Sequence, residues 1–131
     1  MSWTYEATTA CVAPARNDLT AWLEASSISP APVSDVELIV SELVSNAVDA
    51  APGREVTLAA RLHSAVDRLE VSVSNDGSAD QIGDPSEWAP DEVLAKRGRG
   101  LMIVAALSDE VQVTEQDERV TVTAVISTRP S

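Results

Sequence analysis

The chain has 131 residues and a formal net charge of −12, with 21 acidic side chains against nine Lys and Arg. That length fits one domain, residues 1–131, with a core that needs no covalent staples, and the charge excludes a general nucleic-acid or membrane-surface binder because both partners are polyanionic. With no Phe, one Tyr and three Trp the core must be aliphatic, and the single cysteine, Cys11, excludes an internal disulfide or a zinc cage and fits a reducing cytoplasm.

Residues 3–9, Trp-Thr-Tyr-Glu-Ala-Thr-Thr, mix aromatic and β-branched types and read as a first strand. Pro14 suits the first turn of a helix whose apolar residues Leu19, Trp22 and Leu23 share a face, ending near Ser26 or Ser27. Pro30 and Pro32 make the following stretch a connector.

A second helix is bounded at both ends, roughly 34–51. Ser34 with Glu37 has the form of a capping box, and Pro52-Gly53 stops it. Val36, Ile39, Val40, Leu43, Val44, Ala47 and Val48 recur at helical spacing as an apolar stripe. Glu42 and Asn46 lie one turn apart on the edge of that stripe, with Asp49 further along, so their oxygens can converge on one point. A carboxylate and a carboxamide so placed suit a hydrated divalent cation carrying phosphates. A solvated polar edge would show the same spacing.

Two strands follow, Glu55–Leu62 and Leu69–Ser74, joined by a turn near His63–Arg68. In the second, Leu69, Val71 and Val73 alternate with polar residues, and Asn75 and Gly77 continue the inward face, where they would line a pocket or simply form an Asn-Asp-Gly turn. Residues 78–95 read as a long polar lid or binding loop with Trp88 as its one large apolar residue. Next, Lys96-Arg-Gly-Arg-Gly-Leu101 reads as a glycine-rich turn running into an apolar helix to Leu107. Lys96, Arg97 and Arg99 are three of only nine basic residues, while Gly98 and Gly100 let backbone N–H groups approach an anion at a helix start, which points to phosphate. The chain closes with strands at Glu110–Thr114 and Arg119–Ser127 around an acidic turn at Glu115–Glu118. No run approaches the ~18 apolar residues of a membrane helix, and no leader pattern opens the chain. His63, the lone histidine, is remote from these motifs and reads as structural.

The order of these signals resembles the GHKL (histidine-kinase-like) ATPase superfamily, and within it the small anti-sigma-factor serine/threonine kinases of bacteria. Glu42-Leu-Val-Ser-Asn-Ala47 matches that family's Glu-Leu-x-x-Asn-Ala motif, Asn75-Asp-Gly-Ser-Ala79 aligns with its Asp-x-Gly-x-Gly, and Gly98-Arg-Gly-Leu101 matches its Gly-x-Gly-Leu. The resemblance implies a two-layer α/β (α+β) sandwich, a mixed, mostly antiparallel sheet of about five strands with about three helices on one face. It implies that Asn46 coordinates the Mg2+ of ATP, that Glu42 is the base for an attacking hydroxyl, and that Asn75 accepts from adenine. Asp49 and Gly77 would complete the nucleotide site. Lys96, Arg97, Gly98, Arg99, Gly100 and Leu101 would wrap the phosphates. The implied partners are a sigma factor and an anti-sigma-factor antagonist, met in the cytoplasm, with a homodimer left open. Asn75 replaces the family's Asp and Ala79 its second Gly, so the rival expectation is a non-catalytic binding module of the same fold.

Overall fold

The computed structural model describes residues 1–26, 33–51, 53–63, 68–76 and 96–127. The elements run β1 (Ser2–Glu6), a short 3-10 turn (Thr9–Cys11), α1 (Val12–Ala25), α2 (Val33–Ala50), β2 (Glu55–His63), β3 (Arg68–Asp76), α3 (Lys96–Leu107), β4 (Glu110–Gln116) and β5 (Arg119–Ser127). The strands form one five-stranded sheet in the order β1-β2-β3-β5-β4. All four pairings are antiparallel, so the mostly antiparallel sheet expected from the sequence is antiparallel throughout.

Alternation decides which face is covered. Val56, Leu58 and Ala60 of β2, Leu69, Val71 and Val73 of β3, and Val120, Val122, Ala124 and Ile126 of β5 point to one side and are buried. The register sets Leu58 opposite Val73 and Val73 opposite Val122, so the three central strands present one continuous apolar surface. The helices cover it: α2 packs on β2 and β3 and is flanked by α1 and α3, while α3 reaches β4 and β5. The other face carries hydroxyls, with Ser72 bonded to Thr123 at 3.0 Å and Ser74 to Thr121 at 2.8 Å. A solvated face and a covered face are the usual division of labour in an antiparallel sheet.

Three boundaries differ from the sequence expectation. β1 stops at Glu6 rather than Thr9: the N–H of Ala7 still bonds Arg54 in register, but that of Arg54 turns away to Ala51 and that of Thr8 turns back to Glu6. α2 begins at Val33, so Ser34 lies inside its first turn and cannot be its cap, and Asp35 instead supplies the negative charge that the helix start favours. The β4–β5 connection is tighter than the four-residue acidic turn expected: Gln116 pairs with Arg119, leaving Asp117 and Glu118 with φ of 53° and 61°. Positive φ at both loop positions is the geometry that matches strand twist in a two-residue hairpin.

α1 is anchored to the sheet edge by Trp22, which meets Trp3 edge-on at 6.3 Å and 78°, and by Asp18, which accepts from the Tyr5 hydroxyl. Gly53 takes φ 80° and donates its N–H to Ala7 at 2.9 Å, tying the α2–β2 connection back to the end of β1. Among the described residues no helix is long and apolar enough to cross a membrane.

Candidate functional site

α2 is the central helix of its layer, so its apolar stripe is buried almost completely. Val36, Ile39, Val40, Leu43, Val44, Ala47 and Val48 are each at most 6% exposed. Asn46 sits among them at 8%. Its Oδ1 is buried and has no hydrogen-bond partner among the described residues. A buried acceptor left unpaired costs about 1–3 kcal/mol, and among the described residues none answers this one. Glu42 is half-buried one turn earlier, and Asp49 is exposed near the helix end.

β3 supplies the second polar group. Strand alternation carries Asn75 to the helix-covered face, where it is 3% exposed and its Nδ2 donates to the carbonyl of Asp76 at 2.9 Å. Asp76 falls on the opposite face, held by Arg119 at 3.3 Å and approached by Arg54 at 4.0 Å. It therefore cannot stand in for Asn75 inside. Arg119, which also reaches Thr57 at 3.0 Å, was not singled out from the sequence; its role depends on the register that sets it beside Asp76.

Asn46 and Asn75 are the two buried polar residues among those described; every other buried side chain is apolar. They lie on elements that pack directly against each other, α2 over β3. The residues singled out for chemistry are thus also the two that the hydrophobic core does not account for.

The basic segment is helical from Lys96, where a turn ahead of the helix was expected. Lys96, Arg97 and Arg99 consequently fall in the first turn of α3, at the positive end of the helix dipole, with Gly98 and Gly100 inside the helix. Each choice works against the helix by itself. A glycine costs about 1 kcal/mol relative to alanine, and a cation near the first turn is unfavourable by about 0.3–1 kcal/mol. The pattern makes sense if that end meets a polyanion. Leu101 and Val104, 2% and 0% exposed, fix the helix in the core, and α3 packs along α2. Gly77, Ala79 and Trp88 lie outside the described residues.

Among the described residues no three or more His, Cys, Asp or Glu side chains group as a metal cage. Mg2+ commonly takes few ligands from a protein and the rest from phosphate and water. The orphaned Oδ1 of Asn46 is an oxygen donor of the right type for it. Two surface hollows among the described residues lie elsewhere, one by Arg61, Glu70 and Ser72 on the hydroxyl face, the other by Tyr5, Gly53 and Arg54. Neither contains Glu42, Asn46 or Asn75. His63 sits on the hydroxyl face with Nε2 3.3 Å from Glu70, in keeping with a structural part.

The sequence profile of the histidine kinase-like ATPase domain matches residues 5–126. No curated protein matches the chain. In fold it is similar to a chain of the SiaB–SiaC complex from Pseudomonas aeruginosa, at a TM-score of 0.72 and 17% identity, covering 96% of this chain and 88% of that one. It is also similar to a Mycobacterium tuberculosis protein with RsbU and RsbW domains, at a TM-score of 0.67 and 21% identity, covering 100% of this chain and 34% of that one. A blue-light activated histidine kinase from Erythrobacter litoralis follows at 0.56 and 25% identity, with 74% and 31% covered.

Proposed function

Because the chain belongs to the histidine kinase-like ATPase domain family, we propose that it binds ATP with Mg2+ and acts as an anti-sigma-factor-type serine/threonine protein kinase in a bacterial cytoplasm. The observation that carries the nucleotide site is the buried Oδ1 of Asn46, unpartnered among the described residues in an otherwise aliphatic helix–sheet interface. In this reading Asn46 offers that oxygen to the magnesium, which supplies charge neutralisation of the phosphates when bound. Asn75 holds the base across the interface. The start of α3, with Lys96, Arg97, Gly98, Arg99 and Gly100, holds the phosphates, and Asp49 borders the site.

Glu42, one turn from Asn46 and half-buried, takes in this reading the proton of an incoming serine or threonine hydroxyl. The hydroxyl oxygen then bonds to the γ-phosphorus, the bond to the β–γ bridging oxygen breaks, and ADP leaves. The partners proposed are a sigma factor and an antagonist protein that receives the phosphate. Likeness to a chain of the SiaB–SiaC complex and to a protein with an RsbW domain supports a role exercised through another protein. The charge of −12 suits a partner with a basic surface. A neutral Asn75 favours the rival reading, a binding module of the same fold without useful turnover, because a carboxamide accepts less strongly than a carboxylate.

Titration of the purified chain with ATP and Mg2+, beside Asn46→Ala, tests the site, and transfer of labelled γ-phosphate to antagonist proteins tests the chemistry. Saturable binding lost in Asn46→Ala is the expected result. No saturable binding at millimolar ATP would sink the kinase reading. Binding without transfer to any antagonist would leave the module.

A further inference from the structure

Along α2, Leu38, Glu42 and Asn46 follow one another at four-residue intervals, so they form one ridge with about 6 Å between steps. Four residues overshoot a full turn by about 40°, and the ridge therefore winds around the helix as it climbs. It winds from solvent into the core: Leu38 is 41% exposed, Glu42 is half-buried and Asn46 is 8% exposed. The inner end carries the orphaned Oδ1. The outer end is also out of keeping with its surroundings. Apart from Met1, Leu38 is the only large hydrophobic side chain exposed among the described residues. Serines flank it, and Ser41 folds its hydroxyl back onto the carbonyl of Glu37 at 2.8 Å, so the leucine stands clear. Glutamine or lysine would serve the helix about as well, so nothing in the helix itself asks for leucine there.

Resting on the kinase reading above, we infer that Leu38 seats the protein acceptor, and that the acceptor is an extended segment with an apolar side chain two positions from its serine or threonine. In that reading the phosphoryl donor lies at the inner end of the ridge, by Asn46, and the acceptor hydroxyl meets Glu42 in the middle. The chain that carries the hydroxyl then lies over the outer end. An extended chain advances about 3.3 Å per residue and returns to the same side every second residue, so two residues span the step from Glu42 to Leu38. Charge selects the rest of the segment. α2 carries Asp35, Glu37, Glu42 and Asp49 and no Lys, Arg or His, so the segment crossing it is basic, with Lys or Arg beyond the apolar residue toward Asp35. Leu38 thus determines specificity by placing the hydroxyl. The transfer itself is unchanged: Glu42 takes the proton, the oxygen bonds to the γ-phosphorus, and ADP leaves with the β–γ bridging oxygen.

The probes are short peptides with a central serine, Arg at the outer positions, and either Leu or Ala two positions before or after the serine. Transfer of labelled γ-phosphate from MgATP is followed for the native chain, Leu38→Ser and Leu38→Met, beside the antagonist proteins as acceptors, with MgATP affinity titrated in parallel. For the native chain we expect a KM about five- to tenfold lower for the Leu peptide than for the Ala peptide on one side of the serine, with kcat alike. Leu38→Ser should erase that preference, Leu38→Met should keep it, and all three chains should bind MgATP equally. The position is exposed, so neither substitution disturbs the core. Equal KM for Leu and Ala peptides on the native chain, or a preference that survives in Leu38→Ser, overturns the inference and leaves the kinase reading standing. Transfer to an antagonist protein but to none of the peptides does the same. Transfer to neither peptides nor antagonist proteins overturns the kinase reading and this inference together.

Discussion

Replacing Asn46 with leucine should stabilise the unliganded protein while abolishing nucleotide binding, and the two effects have one cause. Oδ1 of Asn46 is buried with no partner among the described residues, a situation that costs about 1–3 kcal/mol. Leucine has a similar side-chain size, adds no polar atom, and is the better helix former by about 0.5 kcal/mol. Imperfect fit against Leu43, Ala47 and the sheet, all tightly packed, should return about 1 kcal/mol of that gain. The net expectation is a rise of about 1 kcal/mol in unfolding free energy, or about 3–5 °C in Tm for a domain of this size. Urea unfolding read by tryptophan fluorescence measures it, since Trp3 and Trp22 pack edge-on at 6.3 Å between β1 and α1. The same melts are then repeated with MgATP. The native chain should gain about 2.7 kcal/mol at a ligand concentration 100-fold above Kd, and the leucine variant nothing. A leucine variant less stable than the native chain by about 1 kcal/mol or more, the size of the expected gain with its sign reversed, would show that the carboxamide serves the fold. MgATP stabilising both proteins alike would remove Asn46 from the site.

Backbone and ionisation predictions follow from the same structure. Gly53 holds φ 80° with no atom within 4 Å of where a Cβ would stand, so Gly53→Ala should lose about 1 kcal/mol from backbone strain alone, measured by urea unfolding. Glu118, at φ 61° in the β4–β5 loop, should respond oppositely, with Glu118→Gly gaining about 0.5–1 kcal/mol in the same assay. Burial first, and then the hydrogen bond to Asp18, hold the Tyr5 hydroxyl well above its ordinary value of 10.0. Its folded value being the raised one, the stability it contributes is complete below pH 10.0 and falls as pH climbs beyond that. Unfolding curves taken between pH 8.5 and pH 11, roughly spanning an unperturbed tyrosine, should therefore steepen for the native chain and stay flatter for Tyr5→Phe.

Much of the architecture was legible because its signals are local and periodic. The stripe on α2 and the alternation on β3 each announce a buried face without reference to any neighbour. Asn75 could be singled out for the same reason, as a polar residue in phase with apolar ones, and Asn46 by its one-turn spacing from Glu42 on the edge of the stripe. What the periodicity could not show was that Oδ1 of Asn46 is left unpaired, since that requires knowing what packs around it. Boundaries failed where a distant bond decided them. Thr4 and Thr8 are equally good strand residues by type, yet only the first lies in β1, because Arg54, the last partner in register, far along the chain, gives its own N–H to Ala51 and Thr8 turns back to Glu6. Ser34 has the chemistry of a helix cap and sits two residues too late to be one. The helical start at Lys96 was hidden by its own composition, because glycines and a cluster of cations argue locally for a turn.

These costs fall on two helices that pack against each other. Natural domains hold about 5–15 kcal/mol of net stability, and this core is assembled from Val, Ala, Leu and Ile, whose burial yields about 1.5–3 kcal/mol for each larger side chain. Against it stand a buried carboxamide oxygen unpaired among the described residues, on α2, and a helix, α3, that starts with two glycines and three cations at its positive end. Both burdens fall on α2 and α3, which pack along each other, and at the proposed site a ligand carrying a cation and phosphates would relieve both. A polyanion with its metal would satisfy Oδ1 and neutralise the first turn of α3 at once. Ligand binding and the stability of this helix pair are therefore expected to rise together, with hydrogen-exchange protection increasing along α2 and α3 on addition of MgATP and remaining unchanged along β4. Equal protection of β4 would mean that the ligand tightens the whole fold, and would break the link between the two local costs and the site.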